Sequence, residues 1–164
     1  MSAPGPGADS WGEDDNARRY DAFAHEYPMY RETSRDLVAL ARLPADAVVL
    51  DLACGTGVTS GEVLAVLGPG GRVIGADKSA AMLEVASRSV TDPRVRWVQA
   101  RAEDVDRHVA GPVDAVVCNS AIWQTQFTRT VAAVRSVLAA DGVFAFNLGV
   151  DFVRGARQEP GVVG

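Results

Sequence analysis

A chain of 164 residues is long enough for one domain with a real core and too short for two of ordinary size. Its net charge of −5 argues against a nucleic-acid backbone as main partner. No apolar run approaches the ~20 residues of a membrane span, and the acidic, Pro/Gly-rich N-terminus lacks the basic-then-apolar pattern of a secretory signal. The two cysteines, Cys54 and Cys118, form no Cys/His cluster with metal-ligand spacing. No metal site is expected, and a reduced, cytoplasmic setting fits two unpaired thiols.

Residues 1–15 carry Pro4, Pro6 and several acids but few side chains able to pack. They read as a disordered tail, with Trp11 exposed in it, ahead of one domain over 16–164. From Asn16 to Tyr27 the spacing of Tyr20, Phe23 and Tyr27 is helical, Asn16 is a candidate cap, and Pro28 is expected to end the helix. Two readings of this aromatic face stand: a helix packed on the core, or a lid over a bound molecule. His25 reads as a surface residue, with proton acceptor as the alternative. Thr33 to Leu43 is a second helix with Leu37, Leu40, Ala41 and Leu43 as its apolar positions, stopped by Pro44.

The next stretch organises the chain. Val48–Leu52 (VVLDL) is a β-branched apolar run of the kind that is buried on both faces of a parallel sheet. Ala53-Cys54-Gly55-Thr56-Gly57 follows as a turn, in which Gly55 and Gly57 allow sharp bending and close approach to a ligand. The helical run Val58–Leu67 then presents its unpaired N–H groups to the same spot. Strand, glycine turn and helix together read as a nucleotide-type cofactor site. Asp51 narrows the choice of cofactor. A carboxylate at this strand end repels the pyrophosphate of a dinucleotide and attracts an ammonium or sulfonium group. Ser60 also stands where the G-x-G-x-x-G fingerprint has its third glycine.

Gly68-Pro69-Gly70-Gly71 turns the chain into a second strand, Arg72–Ala76, ended by Asp77. Asp77 lies 22 residues beyond Gly55 (77 − 55), close to the ~20 expected of an acid that takes ribose hydroxyls. Ser79 caps a helix to about Ser89 with Met82, Leu83 and Ala86 inward. Val95–Gln99 and Val113–Cys118 are the third and fourth strands. The loop from Asn119 to Thr125, beyond the carboxyl end of the fourth, is expected to face the same cleft as Gly55. Phe127–Leu138 is a periodic helix with Phe127, Val131, Val134 and Leu138 on one face, and Asp141-Gly142 leads into a fifth strand, Val143–Leu148. His108 reads as a surface residue. The fold class is α/β: a Rossmann-like, doubly wound, mostly parallel sheet with helices on both faces.

Asp51-Leu52-Ala53-Cys54-Gly55-Thr56-Gly57 resembles the acid-x-Gly-x-Gly-x-Gly first motif of the class I S-adenosylmethionine-dependent methyltransferases of small-molecule type. Ala53 replaces the first glycine, and the turn is expected to tolerate this small residue. Asp77-Lys78-Ser79-Ala80-Ala81-Met82-Leu83 is similar to the family's acid-x-Ser-x-x-Met-Leu motif, and Ala100–Val105 to its adenine-edge motif, although Arg101 stands where the family often has Asp. The resemblance implies S-adenosyl-L-methionine as cofactor, bound by Asp51, Ala53, Gly55, Gly57, Asp77, Lys78, Met82, Ala102, Glu103 and Asn119. In that reading Asp51 holds the methionine amino group, Gly55 and Gly57 cradle methionine and ribose, and Asp77 takes the ribose hydroxyls. The stem of Lys78 and Met82 pack on adenine, and Ala102 with Glu103 meets its edge. Asn119 and Trp123 stand beside the methionine part and the acceptor. Plainer readings stay open: Met82 and Trp123 as core, Ala102–Glu103 as an acidic helix start, and Asn119 bonded to local backbone. No residue is singled out as catalytic base.

The implied function is methyl transfer to a small-molecule acceptor. The alternatives are a non-catalytic S-adenosylmethionine-binding or scaffold protein and, less favoured, an NAD-linked oxidoreductase. The family fold continues after its fifth strand with a helix and an antiparallel hairpin. Only 16 residues follow Leu148 (164 − 148), so this ending is expected to be missing and the fifth strand to form an open apolar edge. A longer gene product, a homodimer or other partner covering that edge, or a degenerate inactive fold would each account for it.

Overall fold

The computed structural model describes residues 14–148. Most of the expected tail, with Trp11, and the stretch from Gly149 onward lie outside them. The elements in chain order are α1 (Asp14–Glu26), α2 (Pro28–Ala41), β1 (Val48–Leu52), α3 (Val58–Val66), β2 (Arg72–Asp77), α4 (Ala80–Ser89), β3 (Val95–Gln99), β4 (Val113–Cys118), α5 (Phe127–Val137) and β5 (Leu138–Phe146). Short 3₁₀ turns occupy Ala102–Arg107 and Ile122–Gln124.

The five strands form one sheet in the order β3-β2-β1-β4-β5, and every pairing is parallel. Parallel neighbours need crossovers, which the intervening helices supply on both faces. Alternation along the strands divides the core. Leu50, Leu52, Ile74 and Val116 face Val105, Val109 and, on α5, Val134 and Val137. Val49, Val73, Ala115 and Val117 face Leu37 and Val38 of α2 and Val63 and Leu64 of α3. No helix among the described residues is long and apolar enough to cross a membrane.

Four elements differ from the sequence expectation. Helix α1 starts at Asp14, so the last residues assigned to the tail are helical. Pro28 does more than end α1: Tyr27 is extended and Pro28 opens α2 from its first position, where a missing N–H costs nothing, so α2 begins five residues before Thr33. The buried stripe of α5 is Thr130, Ala133, Val134 and Val137, whereas Phe127 is 53 % exposed. Leu40 of α2 is likewise exposed.

Strand β5 starts directly after α5, earlier than expected, with a register shift against β4 between Val113 and Ala115. Val143 and Phe146, on opposite faces of it, are exposed, and Phe146 meets Phe144 and Phe127 with ring centroids at 5.0 and 6.1 Å. No antiparallel strand pairs with it among the described residues.

Leu50 is fully buried at the centre of the sheet. Leu50→Ala is expected to lower unfolding free energy in urea by about 2–5 kcal/mol. Leu40→Ala, on the exposed side of α2, is expected to stay within about 0.5 kcal/mol of the parent.

Candidate functional site

The carboxyl ends of β1, β2 and β4 converge, and the turn after β1 sits between them. Ala53, Gly55 and Gly57 all take left-handed backbone conformations, with φ of 55°, 53° and 87°. The turn closes on itself through Gly57 N–H donating to Cys54 O at 3.0 Å, and it is tied to β2 by Cys54 N–H donating to Ala76 O at 3.0 Å. Ala53 adopts the expected turn, but in a conformation that an L side chain resists by roughly 1–2 kcal/mol.

Asp77 clamps this arrangement. Its Oδ2 accepts from Gly55 N–H at 2.9 Å and its Oδ1 from Ser79 N–H at 2.9 Å. Ser79 in turn caps α4 by accepting from Met82 N–H at 3.2 Å. Burial raises the pKa of Asp77, and the two backbone donors oppose the rise.

Asp51 is 1 % exposed. Burial lifts its pKa to about 7 against the hydrogen bond from Ser60 Oγ at 2.6 Å, and the nearby charge of Asp77 adds to the rise. Ser60, noted in the sequence only as a missing glycine, is therefore the hydroxyl that partners this acid.

Two adjoining cavities share Tyr20, Ala53, Gly55, Asn119 and Ser120. The larger, about 130 Å³, is lined also by Asp77, Lys78, Met82, Ala102 and Glu103. The smaller, about 30 Å³, is lined also by Asp51, Tyr30, Ser34, Cys54, Thr56 and Thr59. The structure thus brings nine of the ten candidates, all but Gly57, onto these two walls. Gly57 faces away and caps the start of α3. Thr56 Oγ1 is buried and has no hydrogen-bond partner, leaving an open polar group on the wall of the smaller cavity.

Several readings left open by the sequence now separate. Tyr20 is the member of the α1 aromatic stripe that lines the cavities, while Phe23 and Tyr27 stack on each other at 4.3 Å and are exposed. Met82 lies in both worlds, packed with Ala17 and Ala81 and lining the larger cavity. Glu103 uses Oε1 to accept from Gln126 N–H at 2.8 Å, at the start of α5. Burial opposes its ionisation, but that donor, its own N–H and Arg101 together hold its pKa low. His25 lines neither cavity; its Nδ1 lies 2.9 Å from Asp21 O. Trp123 is 63 % exposed, with Nε1–H donating to Ser120 O at 3.1 Å, so it is neither core nor cavity wall.

Asn119 bonds to side chains rather than to local backbone. Its Nδ2 donates to Ser34 Oγ at 2.9 Å, and its Oδ1 accepts from Asn147 Nδ2 at 2.6 Å. Ser34 spends its one hydrogen on Tyr30 O at 2.9 Å, so Thr59 Oγ1, also 2.9 Å away, donates to it. Ser34, Thr59 and Asn147 were absent from the sequence reading. The available signal was a small polar residue, Ser34, one turn before Leu37 and Val38 on the buried face of a helix.

A family model described as a methyltransferase domain matches residues 49–142, from β1 to the beginning of β5, and includes most of the residues that line the two cavities. The chain belongs to the class I S-adenosylmethionine-dependent methyltransferases. Among curated relatives of the chain, a trans-aconitate 2-methyltransferase of Azoarcus sp. is 35 % identical over 135 residues, covering 80 % of this chain and 49 % of its own. A probable S-adenosylmethionine-dependent methyltransferase of Saccharomyces cerevisiae is 34 % identical over 102 residues, covering 60 % and 34 %. The chain thus spans half or less of the length of these relatives. The solved precorrin-6y C5,15-methyltransferase of Geobacter metallireducens superposes with a TM-score of 0.61 at 19 % identity, covering 79 % of this chain and 67 % of that one, a likeness of fold.

Two outcomes follow from the turn and its acid. Ala53→Gly removes the left-handed penalty and returns some unfolded-state entropy, so stability in urea is expected to rise by up to about 1 kcal/mol. Asp51 titrates near 3.8 when unfolded and near 7 when folded. Between these values the folded state holds the extra proton, so this group makes stability fall as pH rises from about 4 to about 7, and it contributes no further slope above. The stability difference between the parent and Asp51→Asn, followed by thermal unfolding across that window, is expected to show this slope and to flatten above it.

Proposed function

We propose that this methyltransferase binds S-adenosyl-L-methionine across the joined cavities and transfers its methyl group to a small-molecule acceptor. The observation that carries the reading is the pair of buried acids, Asp51 and Asp77, at the ends of β1 and β2 on either side of the Gly55 turn, with the larger cavity running on to Ala102 and Glu103. The residues present fit the donor. Asp51 is a buried acid that meets the Ser60 hydroxyl and no cation among the described residues, suited to an ammonium or sulfonium group. Thr56 Oγ1 is an unpaired hydroxyl on the same wall, suited to the polar end of the donor's amino acid. Asp77 spends one bond on each oxygen, and each oxygen keeps a further acceptor site for a ribose hydroxyl.

S-adenosylmethionine supplies a methyl group already activated by the sulfonium charge. The protein's part is alignment. Asp51 ionises on meeting the cation, Gly55 lets the backbone come close, Asp77 fixes the sugar, and Met82 and the stem of Lys78 flank the base. Tyr20, shared by both cavities, closes the site from α1. Burial pushes the Tyr20 hydroxyl up to about 12 and the Cys54 thiol well above its ordinary value, so neither takes a proton near neutrality. An acceptor that arrives without a proton to lose suits such a site, and the trans-aconitate 2-methyltransferases among the relatives support a small carboxylate. The free thiols of Cys54 and Cys118 support a reduced, cytoplasmic setting. The open β5 edge favours a second reading, a donor-binding protein that lacks turnover until a partner or second copy covers that edge.

Calorimetric titration with S-adenosylhomocysteine and, separately, with NAD tests the donor. S-adenosylhomocysteine is expected to bind and NAD is not, and Asp77→Ala is expected to weaken the former by about 10- to 100-fold. Binding of NAD alone overturns the reading. Incubation with methyl-labelled donor and a panel of small carboxylates then separates the enzyme from the binding protein: label appears on an acceptor only for the enzyme.

A further inference from the structure

Asp51, Gly75 and Trp97 stand in one register row across β1, β2 and β3. Side chains in such a row share a face of a parallel sheet, here the face that carries α3. Gly75 has no side chain, and the indole of Trp97 lies in the slot this leaves. A Cβ on Gly75 would fall 2.3 Å from Cζ3 and 2.5 Å from Cε3 of the indole. The far corner of the same ring, Cη2, would lie 2.9 Å from a Cβ on Gly57, with Ala86 of α4 and Val90 just beyond it closing that space at 3.3 and 3.5 Å. An edge-strand side chain therefore crosses β2 and ends against the Ala53–Gly57 turn, outside both cavities. Trp97 lines neither of them.

This placement gives the indole a second task beside filling volume. Ala53, Gly55 and Gly57 hold left-handed conformations in one five-residue turn, and such geometry persists only where its surroundings over-determine it. Asp77 fixes the turn at Gly55 on the cavity side. Outside the cavities the six-membered ring of Trp97 meets Gly57 where the turn passes into α3. Glycine at both 57 and 75 is what lets one ring reach from β3 to that point.

We propose that Trp97 is a positioning residue for the donor: packed into the space left by Gly75 and Gly57, it holds the Ala53–Gly57 turn in its binding geometry without touching the ligand. The role rests on the donor site proposed above.

The test compares Trp97→Leu, Trp97→Phe, Gly75→Ala and Val134→Ala in two measurements. One is S-adenosylhomocysteine affinity by calorimetry; the other is amide hydrogen exchange over residues 53–57 of the ligand-free protein. Trp97→Leu is expected to weaken binding by about 10-fold and to speed exchange in the turn by a similar factor. Trp97→Phe keeps an aromatic ring in the slot and is expected to restore most of both. Gly75→Ala displaces the indole and is expected to match Trp97→Leu, and combining the two is expected to cost no more than Trp97→Leu alone. Val134→Ala opens a cavity in the core of the other face, under α5, and is expected to lower stability while leaving binding and turn exchange unchanged.

Unchanged binding together with unchanged turn exchange in Trp97→Leu overturns the proposal. So does an equal loss of binding in Val134→Ala, which would mark general softening. If the parent chain itself fails to bind S-adenosylhomocysteine, the donor reading falls, and turn exchange alone decides for or against the role of Trp97.

Discussion

The site depends on one carboxylate placed between two backbone donors. Asp77 stands at the last position of β2 and receives an N–H from the turn after β1 and another from the residue that caps α4. One side chain thereby fixes where the first crossover begins and where the second helix starts. A carboxylate held in this way is kept from full solvent by its own partners, and each oxygen keeps a further acceptor site. Loss of that group would disconnect two elements at once.

Much of the fold was legible because its strands are buried on both faces. Val48–Leu52, Arg72–Asp77 and Val113–Cys118 are short β-branched runs bounded by turn residues, and no amphipathic helix of usual length fits them. What escaped the sequence was local geometry set by distant packing. Pro28 reads as a stop, yet the residue before a proline is extended and the proline itself suits a first turn, so it ends one helix and starts the next. The helix after the fourth strand offered Phe127 as an inward residue by periodicity. Its inward stripe instead uses Thr130 and Ala133, small enough to sit close to the sheet and its 3₁₀ turn.

At the site, the residues legible in the sequence were those carried by contiguous motifs: Asp51 with its glycines, Asp77 with Ser79, and Ala102 with Glu103. Each motif is a strand end and the turn beyond it, and parallel order brings those ends together. Ser34, Thr59 and Asn147 were not legible, because they belong to three elements whose neighbourhood exists only after α2 docks across β4. Trp97 was visible as one member of an alternating strand. Its meaning required the register that sets it opposite Gly75. Asp51 was legible in position but not in state: burial lifts its pKa to about 7, so it is partly protonated near neutrality.

The strand order carries a consequence for how the molecule is made. Among the described residues β1 is the first strand in chain order and the middle one in the sheet, so the sheet extends from it in both directions. The pairings of β1 with β2 and of β2 with β3 join neighbours in the chain, whereas that of β1 with β4 must close a loop of 66 residues, from Val49 to Ala115 (115 − 49). A nascent chain leaving the ribosome therefore completes β1, β2 and β3 before β4, the other neighbour of β1, has been synthesised. During that interval one side of β1 offers unpaired backbone groups to a wrong partner.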